Sequence, residues 1–330
     1  MKKVMFSVDE VKARILRGDK LILSGDEQAL RSLPAGTWIG GTTPYFMAEA
    51  GGLFTREQIY VTALDAGMEV DAIRVYDDRT IAKIYGDVPE NGFALVIISA
   101  FTQTHASFAL NAPKYQDFAT KPVVGWISGV ALDNLGQITP KVFDGRSQQV
   151  IENGAVAIHV QLPAHKAAEI DILNIFEPGA GDVITFPQDG CEIRDAFVNG
   201  ERVDFATYVT DNHLDIRLPL VVDSAGAMIN ISFNSVEADK KLVKLFAPVF
   251  KGFEYKHAKP VADYVKAFTL QMPSDGDDKI FFSCNCILNF LHSELAGKQT
   301  GGFTGPVTFG EVAYQLLNQT LVYLKIHDVG

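Results

Sequence analysis

The sequence is poor in cysteine and has no long apolar run. It contains three cysteines among 330 residues, and Cys284 and Cys286 stand too close for an unstrained disulfide, which favours a reducing compartment. No run approaches the roughly 18 consecutive apolar residues that a membrane helix needs. The chain reaches Asp9 and Glu10 before any long apolar region, which argues against a signal peptide. We therefore expect a cytoplasmic protein without a membrane partner.

Clusters of basic residues are missing as well. The formal net charge is −11 and the isoelectric point is about 5.1, whereas nucleic-acid binding depends on grouped Lys and Arg. Nucleic acid is therefore not an expected partner. The sequence also lacks a P-loop, a dinucleotide-binding glycine pattern, H-E-x-x-H and G-x-S-x-G. We predict no cofactor and no metal.

Strand patterns alternate with helical patterns through the first half. Ser7 can cap a first helix that ends near Gly18. Residues 93–99 form a continuous apolar run, typical of a strand buried on both faces. Two further strands, residues 37–43 and 122–129, end in glycine and hydroxyl residues. The alternation predicts an α/β fold of mixed α and β elements.

The second half is richer in short strands. The pair Asn199-Gly200 between two alternating segments predicts a β-hairpin. The length suggests about two domains, and we divide the chain into two layered halves with mixed sheets, residues 1–150 and 151–330, with a boundary near residue 240 as the alternative. Asp275 to Asp278 lacks the later acidic ligand of a calcium loop and is predicted to be a solvated turn.

One stretch, residues 279–326, organises the C-terminal half. An apolar strand runs into a helix through the polar segment 283–286, and a glycine-rich return and two β-prone segments follow. Polar side chains and free helix N–H groups meet at such a strand-to-helix junction, which makes it the leading site candidate. A weak echo relates residues 39–44 to residues 301–306, since both combine paired glycines, threonine and proline. It raises an internal duplication as one reading.

Four short motifs occur along this stretch. They are Phe282-Ser283-Cys284, Gly302-Phe303-Thr304, Phe309-Gly310-Glu311 and Asn318-Gln319-Thr320. They resemble the C-terminal half of the FIST family, bacterial sensory domains shared with F-box proteins, and residues 39–43 are similar to the signature of that family's N-terminal half. The resemblance implies a FIST-like fold and a signalling protein that binds a small ligand, such as an amino acid or a relative, without catalysis.

Hydroxyl, amide, thiol and carboxyl side chains near the strand ends are the predicted ligand contacts. Glu311 stands in an apolar context where an unpaired charge is costly, so it would bind a ligand cation, form a structural hydrogen bond or lie at a solvated edge. The threonines also suit ordinary glycine-rich turns, and the cysteines also suit a packed core. The six predicted contacts are Thr42, Thr43, Cys284, Asn285, Thr304 and Glu311.

Three functions fit these residues. The first is a sensory protein that binds a small polar metabolite in a cleft between its halves and signals through a protein partner. The second is a thiol-dependent hydrolase or transferase with Cys284 as nucleophile, because a helix start can lower the pKa of a thiol. The third is a non-catalytic protein-protein interaction module with an acidic surface.

Overall fold

A computed structural model of the chain describes residues 3–224, 227–271 and 280–329. The turn predicted at Asp275 to Asp278 lies outside these residues. No helix among them is long and apolar enough to cross a membrane. The chain divides into two compact units. The first comprises the described residues of Met1–Ile172, Met272–Leu316 and Leu321–Gly330, and the second those of Leu173–Gln271 and Leu317–Thr320. The division at residue 150 stays a prediction.

Helices are short, and strands make up most of the regular structure. The described α-helices are α1 (Val8–Leu16), α2 (Glu27–Arg31), α3 (Gln103–Asn111), α4 (Phe205–Asp211), α5 (Tyr264–Leu270) and α6 (Ile287–His292). Turns of 3₁₀ helix cover Ile81–Lys83, Ala112–Lys114, Leu132–Asn134 and Ala238–Lys240.

The strands follow in chain order, with nine of them falling between β13 and β23. They are β1 (Met5–Ser7), β2 (Leu21–Gly25), β3 (Trp38–Thr42), β4 (Tyr45–Ala48), β5 (Gly51–Phe54), β6 (Gln58–Ala63), β7 (Glu69–Tyr76), β8 (Gly92–Ser99), β9 (Val123–Ser128), β10 (Val142–Asp144), β11 (Gln149–Ile151), β12 (Ala155–Gln161), β13 (Lys166–Leu173), β14 (Ile184–Thr185), β15 (Gly190–Ile193), β16 (Asp195–Val198), β17 (Glu201–Asp204), β18 (Leu220–Ser224), β19 (Ala227–Ile231), β20 (Phe233–Glu237), β21 (Leu242–Val249), β22 (Tyr255–His257), β23 (Ile280–Cys286), β24 (Gly305–Thr308), β25 (Glu311–Ala313), β26 (Gln315–Leu317) and β27 (Leu321–Asp328).

Three six-stranded sheets share one strand order. They run β1-β6-β2-β3-β10-β11, β7-β12-β8-β9-β25-β26 and β13-β27-β23-β24-β4-β5. The third and fourth strands of each sheet are parallel to each other, and both are antiparallel to their outer neighbours. The first unit is therefore built from three topologically equivalent repeats: β1–β6, β7–β12, and β13 with β23–β27.

Each repeat gives two strands to the sheet of another repeat. Strands β4 and β5 complete the third sheet, β10 and β11 complete the first, and β25 and β26 complete the second. A helix joins the parallel pair of each repeat, α2, α3 or α6, because parallel strands need a crossover connection. No sheet is complete within one repeat, so the three repeats depend on one another for their hydrogen bonds.

The second strand of each parallel pair ends in the pattern Gly-x-x-Ser/Thr. A side chain at Gly125 would overlap the carbonyl oxygen of Val96 on the partner strand, and one at Gly305 would overlap that of Ser283. Glycine is thus required at both positions by the close approach of two backbones. The three copies of the pattern are Gly40-Gly41-Thr42-Thr43, Gly125-Trp126-Ile127-Ser128 and Gly305-Pro306-Val307-Thr308.

Hydrogen bonds between these strand ends close the repeats into a ring. The residue after the hydroxyl donates its N–H to the neighbouring repeat in two cases, from Gly129 to the carbonyl oxygen of Thr42 at 2.7 Å and from Phe309 to that of Ile127 at 3.1 Å. In the third case the following residue is Pro44, which has no N–H. There the Thr43 hydroxyl donates to the carbonyl oxygen of Val307 at 2.7 Å instead.

The repeat corrects the echo read from the sequence. Residues 301–306 resemble residues 39–44 in composition, but Gly301 and Gly302 precede β24, whereas Gly40 and Gly41 lie inside β3. The equivalent of Gly40 is Gly305, whereas the echo paired Gly40 with Gly302. There are also three copies rather than two. The echo missed the middle copy because it carries Trp126 where the other copies have Gly41 and Pro306.

Helices α1 and α2 cover one face of the first sheet. Val11 and Ile15 of α1 and Leu30 of α2 pack in a core cluster with Trp38 of β3. Helix α1 begins after Ser7, as predicted, because the Ser7 side chain and the Glu10 carboxylate form a capping box. This layer holds the carboxyl ends of β2 and β3 in place beside the start of α2.

The second unit has its own sheets, and most of it is an insertion in the sequence between β13 and β23. Its sheets run β17-β16-β14-β22-β18-β19 and β15-β21-β20. The predicted hairpin is confirmed as β16 and β17, and Asn199 and Gly200 have φ values of 51° and 87°, as a type I′ turn requires. The predicted class, a mixed α and β fold with mixed sheets, is confirmed.

Replacing Gly125 by alanine should destabilise the protein by more than about 3 kcal/mol, because the new methyl group overlaps the backbone of β8. Gly136→Ala is the control: its φ is +80° and nothing lies within 4 Å of its Cβ position, so it should cost about 1 kcal/mol. Urea unfolding of both variants measures the difference. Equal stabilities would show that β8 and β9 do not approach as described.

Candidate functional site

A cavity of about 430 Å³ opens in the first unit at the carboxyl ends of β2 and β3. Its floor contains Thr42, the last residue of β3, and Thr43 and Pro44, which follow that strand. One wall is formed by residues 129–131, which follow β9. Ligand cavities of proteins commonly have volumes of 300 to 1,000 Å³, and the carboxyl edge of parallel strands is a frequent place for them. The cavity is the candidate functional site.

Aromatic pairs pack at two of the three junctions between repeats, and the cavity lies at the third. Where the third repeat meets the first, Tyr45 packs edge-on against Phe290 with ring centroids 5.7 Å apart. Where the second meets the third, Phe101 and Phe309 pack in the same manner at 5.9 Å. At the junction of the first and second repeats the chain has Gly129 and Val130. Val130 has a small side chain and lines the cavity. A Cβ atom at Gly129 would lie 2.5 Å from the Phe309 ring, so this glycine makes room for that ring.

The hydroxyl groups of the floor are fixed by backbone groups. The Thr42 hydroxyl accepts from the Lys141 N–H at 2.9 Å and lies 3.3 Å from the Lys141 carbonyl oxygen. The Thr43 hydroxyl donates to Val307, as described above, and accepts from the Tyr45 N–H at 3.3 Å. Both side chains are buried, at 3% and 0% exposure. They shape the floor, and their donor capacity is already in use.

Glu27 and Arg31 line a second wall of the cavity, and an ion cluster with Lys141 holds them. Glu27, at the start of α2, accepts from the Arg31 Nε at 2.7 Å and from the Lys141 Nζ at 2.8 Å. The Lys141 side chain is 8% exposed. Burial acts to raise the pKa of Glu27, but the hydrogen bonds from Lys141 and Arg31 prevail and hold it below its ordinary value of 4.5. Lys141 thus ties both Thr42 and Glu27 to the segment that precedes β10.

Two charged residues at the rim have no ion-pair partner among the described residues. Arg56 lies over the ring of Phe54 at 5.9 Å, and its guanidinium makes no salt bridge within them. The Glu57 carboxylate likewise has none. Asp26 uses one carboxylate oxygen to cap α2 by accepting from the Gln28 N–H at 3.1 Å. All three residues line the cavity.

Three of the predicted contacts lie in a separate buried layer. The Glu311 side chain is fully buried and accepts from the Thr308 hydroxyl at 3.3 Å, while the same hydroxyl lies 3.3 Å from the Asn285 carbonyl oxygen. The Cys284 thiol donates to the Gly125 carbonyl oxygen at 3.4 Å. The Asn285 side-chain oxygen accepts from the Asn289 amide at 2.9 Å, and the buried Asn285 Nδ2 has no hydrogen-bond partner within the described part of the chain. None of the three residues lines the cavity.

Burial decides the chemistry of Cys284. It raises the pKa of the thiol well above its ordinary value of 9.0, and the charge of Glu311 adds to the effect. A nucleophilic cysteine needs the opposite environment, one that stabilises a thiolate. Helix α6 does begin after Cys286, as predicted. The dipole of this six-residue helix does not offset the rise in the thiol pKa that burial causes.

Thr304 lies apart from both groups. Its carbonyl oxygen accepts from the Tyr60 hydroxyl at 2.9 Å and from the Ser283 hydroxyl at 2.8 Å, and its own hydroxyl is 3.2 Å from that of Tyr60. The structure therefore brings Thr42 and Thr43 together in the cavity and Cys284, Asn285 and Glu311 together in the core. It does not join the six residues in one site.

Sequence reasoning missed the charged residues of the cavity. Arg31, Arg56 and Glu57, which line the cavity, lie in ordinary surface-like contexts along the chain, and no local pattern marks them. The threefold Gly-x-x-Ser/Thr pattern was the available signal. Aligning its copies would have placed Gly129 beside Pro44 and Phe309, and Val130 beside Tyr45 and Gly310, so that Tyr45 has no aromatic counterpart at residue 130.

The fold and the site together define a mixed α and β protein whose first unit is a ring of three repeats with one open junction. The chain belongs to a family of unknown function, DUF6976, whose model matches residues 6–327. No curated protein matched the chain. The resemblance to the FIST family stays a prediction.

Cys284 should resist alkylation in the folded protein at neutral pH, because its thiol is 1% exposed and remains protonated. Cys191 is the internal comparison: it is half-buried, and burial raises its pKa to about 11. Mass spectrometry after iodoacetamide treatment should show slow labelling of Cys191, none of Cys284, and labelling of both after unfolding. Rapid labelling of native Cys284 would contradict the buried assignment.

The ion cluster predicts a stability loss in acid. Since the pKa of Glu27 is lower in the folded state, its contribution is present above the unfolded value near 4.5 and is lost as the pH falls through the folded value. Glu27→Gln should reduce the free energy of unfolding by about 1 kcal/mol at pH 6. The gap between wild type and variant should narrow below about pH 4. A gap independent of pH would exclude the charged pair as its source.

Proposed function

We propose that this protein binds a small polar metabolite, such as an amino acid or a relative, and acts as a sensor rather than an enzyme. The ligand occupies the cavity of the first unit, whereas the sequence analysis expected a cleft between the two halves. The odd number of cysteines, three in the chain, favours a reducing, cytoplasmic location. The resemblance to sensory domains supports the signalling part of the proposal.

The open junction carries this proposal. Three equivalent junctions occur in the ring, and aromatic pairs fill two of them. The third combines a buried floor, apolar side chains at Val130 and Ala131, and charged groups at the rim. A few convergent polar groups around an apolar floor are what small-molecule sites present.

A route for a signal starts at Lys141. Its backbone fixes Thr42 on the cavity floor, its ammonium group holds Glu27 on the wall, and β10 begins at the next residue. Strand β10 belongs to the second repeat but completes the first sheet. A ligand that moves Glu27 therefore acts on a contact between repeats, and we propose that a signalling protein reads this change.

The thiol-dependent enzyme is not favoured. Its nucleophile would be Cys284, which is buried and lies outside the cavity, and burial raises the pKa of its thiol. The pure interaction module would depend on the net charge of −11 alone, so the cavity favours the sensor over that alternative.

A thermal-shift screen against amino acids and related metabolites tests the binding. A ligand of the folded state at a hundredfold excess over its dissociation constant adds about 2.7 kcal/mol to stability. Val130→Phe should abolish the shift, because it places an aromatic ring where Tyr45 stands in the first repeat. Val75→Phe is the matched control, since Val75 is 40% exposed and outside the cavity.

The outcome separates the alternatives. A shift lost only in Val130→Phe, with both variants folded, places the ligand in the cavity. A thermal shift that is retained in Val130→Phe would show that the ligand binds outside the cavity. The absence of a thermal shift with every compound of a broad panel would count against a metabolite sensor.

A further inference from the structure

The charges of the cavity are not equally available to a ligand. Both oxygens of Glu27 are engaged, one by Arg31 and the other by Lys141. Asp26 spends one oxygen on the N-terminus of α2. The guanidinium groups are less committed: Arg31 uses only its Nε, and Arg56 makes no ion pair within the described residues.

We infer that Arg31 and Arg56 form a carboxylate clamp, and that the recognised group of the ligand is a carboxylate, whether or not the ligand carries an amino group. The inference rests on the proposed function. The forked donors of a guanidinium match the two oxygens of a carboxylate. The Nη groups of Arg31 and the whole fork of Arg56 are the donors that the wall leaves for this purpose.

The rest of the cavity fits the remainder of such a ligand. Pro44, Val130 and Ala131 are buried apolar residues at the floor and wall, and they suit a short carbon skeleton. The Thr42 and Thr43 hydroxyls are already bonded, so they contribute shape more than new hydrogen bonds. Recognition therefore comes from charge at the rim and from packing below it.

Glu57 distinguishes a simple carboxylate from a zwitterion. Its exposed carboxylate lines the same rim beside Arg56. If the ligand needs only its carboxylate, removing the charge of Glu57 removes a repulsion and binding stays equal or tightens. If the ligand needs an ammonium group, Glu57 is its partner and Glu57→Gln weakens binding.

The experiment uses four-carbon probes that share one skeleton: butyrate, 2-oxobutyrate, 2-aminobutyrate and butylamine, together with butyramide and succinate, at equal ionic strength. Thermal shifts of the full chain are measured for wild type, Arg56→Gln, Arg31→Gln and Glu57→Gln. Arg79→Gln is the matched control, because Arg79 is exposed and does not line the cavity.

We expect the carboxylates, including butyrate and 2-oxobutyrate, to stabilise the wild type, and butylamine and butyramide to have no effect. Arg56→Gln and Arg31→Gln should each weaken carboxylate binding about tenfold or more, since a hydrogen bond to a charged group is lost. Glu57→Gln should bind at least as tightly as wild type. Arg79→Gln should match the wild type.

Two results overturn the clamp while leaving the sensor intact. One is binding of 2-aminobutyrate or butylamine without butyrate and 2-oxobutyrate, and the other is carboxylate binding that survives both arginine substitutions. Absence of any shift, here and in the wider metabolite screen, overturns the proposed function together with the clamp.

Discussion

The first unit depends on the hydrogen bonds that link its three strand ends into a ring. Each bond crosses between repeats, and each forms at the residue that follows or carries the terminal hydroxyl of a Gly-x-x-Ser/Thr segment. The bond between repeats is kept even at Pro44, where the backbone N–H donor is missing. There the Thr43 hydroxyl donates to the Val307 carbonyl oxygen instead. Because strands are also exchanged between sheets, the ring and the sheets form only together.

A repeated scaffold makes the exceptional position visible. In a fold without repeats, a cavity of 430 Å³ could be a packing accident. Here the same junction occurs three times, and two copies are closed by aromatic pairs. The junction that has no such pair, where Val130 stands in place of the Tyr45 of the first repeat, contains the cavity, and a local departure of this kind is where function is most readily built.

The buried polar residues near Glu311 show how a sequence signal can be real and still mislead about its role. A carboxylate at 0% exposure demands partners, and the Thr308 hydroxyl is one of them. The same environment keeps the Cys284 thiol protonated. This layer therefore stabilises and specifies the packing of the third repeat, while the side chains open to a ligand lie at a different junction.

Local chemistry by itself determined the class of the fold, the capped first helix at Ser7, the hairpin at Asn199-Gly200 and the end of β3 at Thr42 and Thr43. Each of these depends on residues close together in the sequence, through capping, positive φ or hydrophobic period. Only the tertiary structure decided the number of repeats and which strands are exchanged, because such pairings join segments far apart in the chain. It also decided that Arg31 and Arg56 face one cavity, since an open space depends on which side chains fail to fill it.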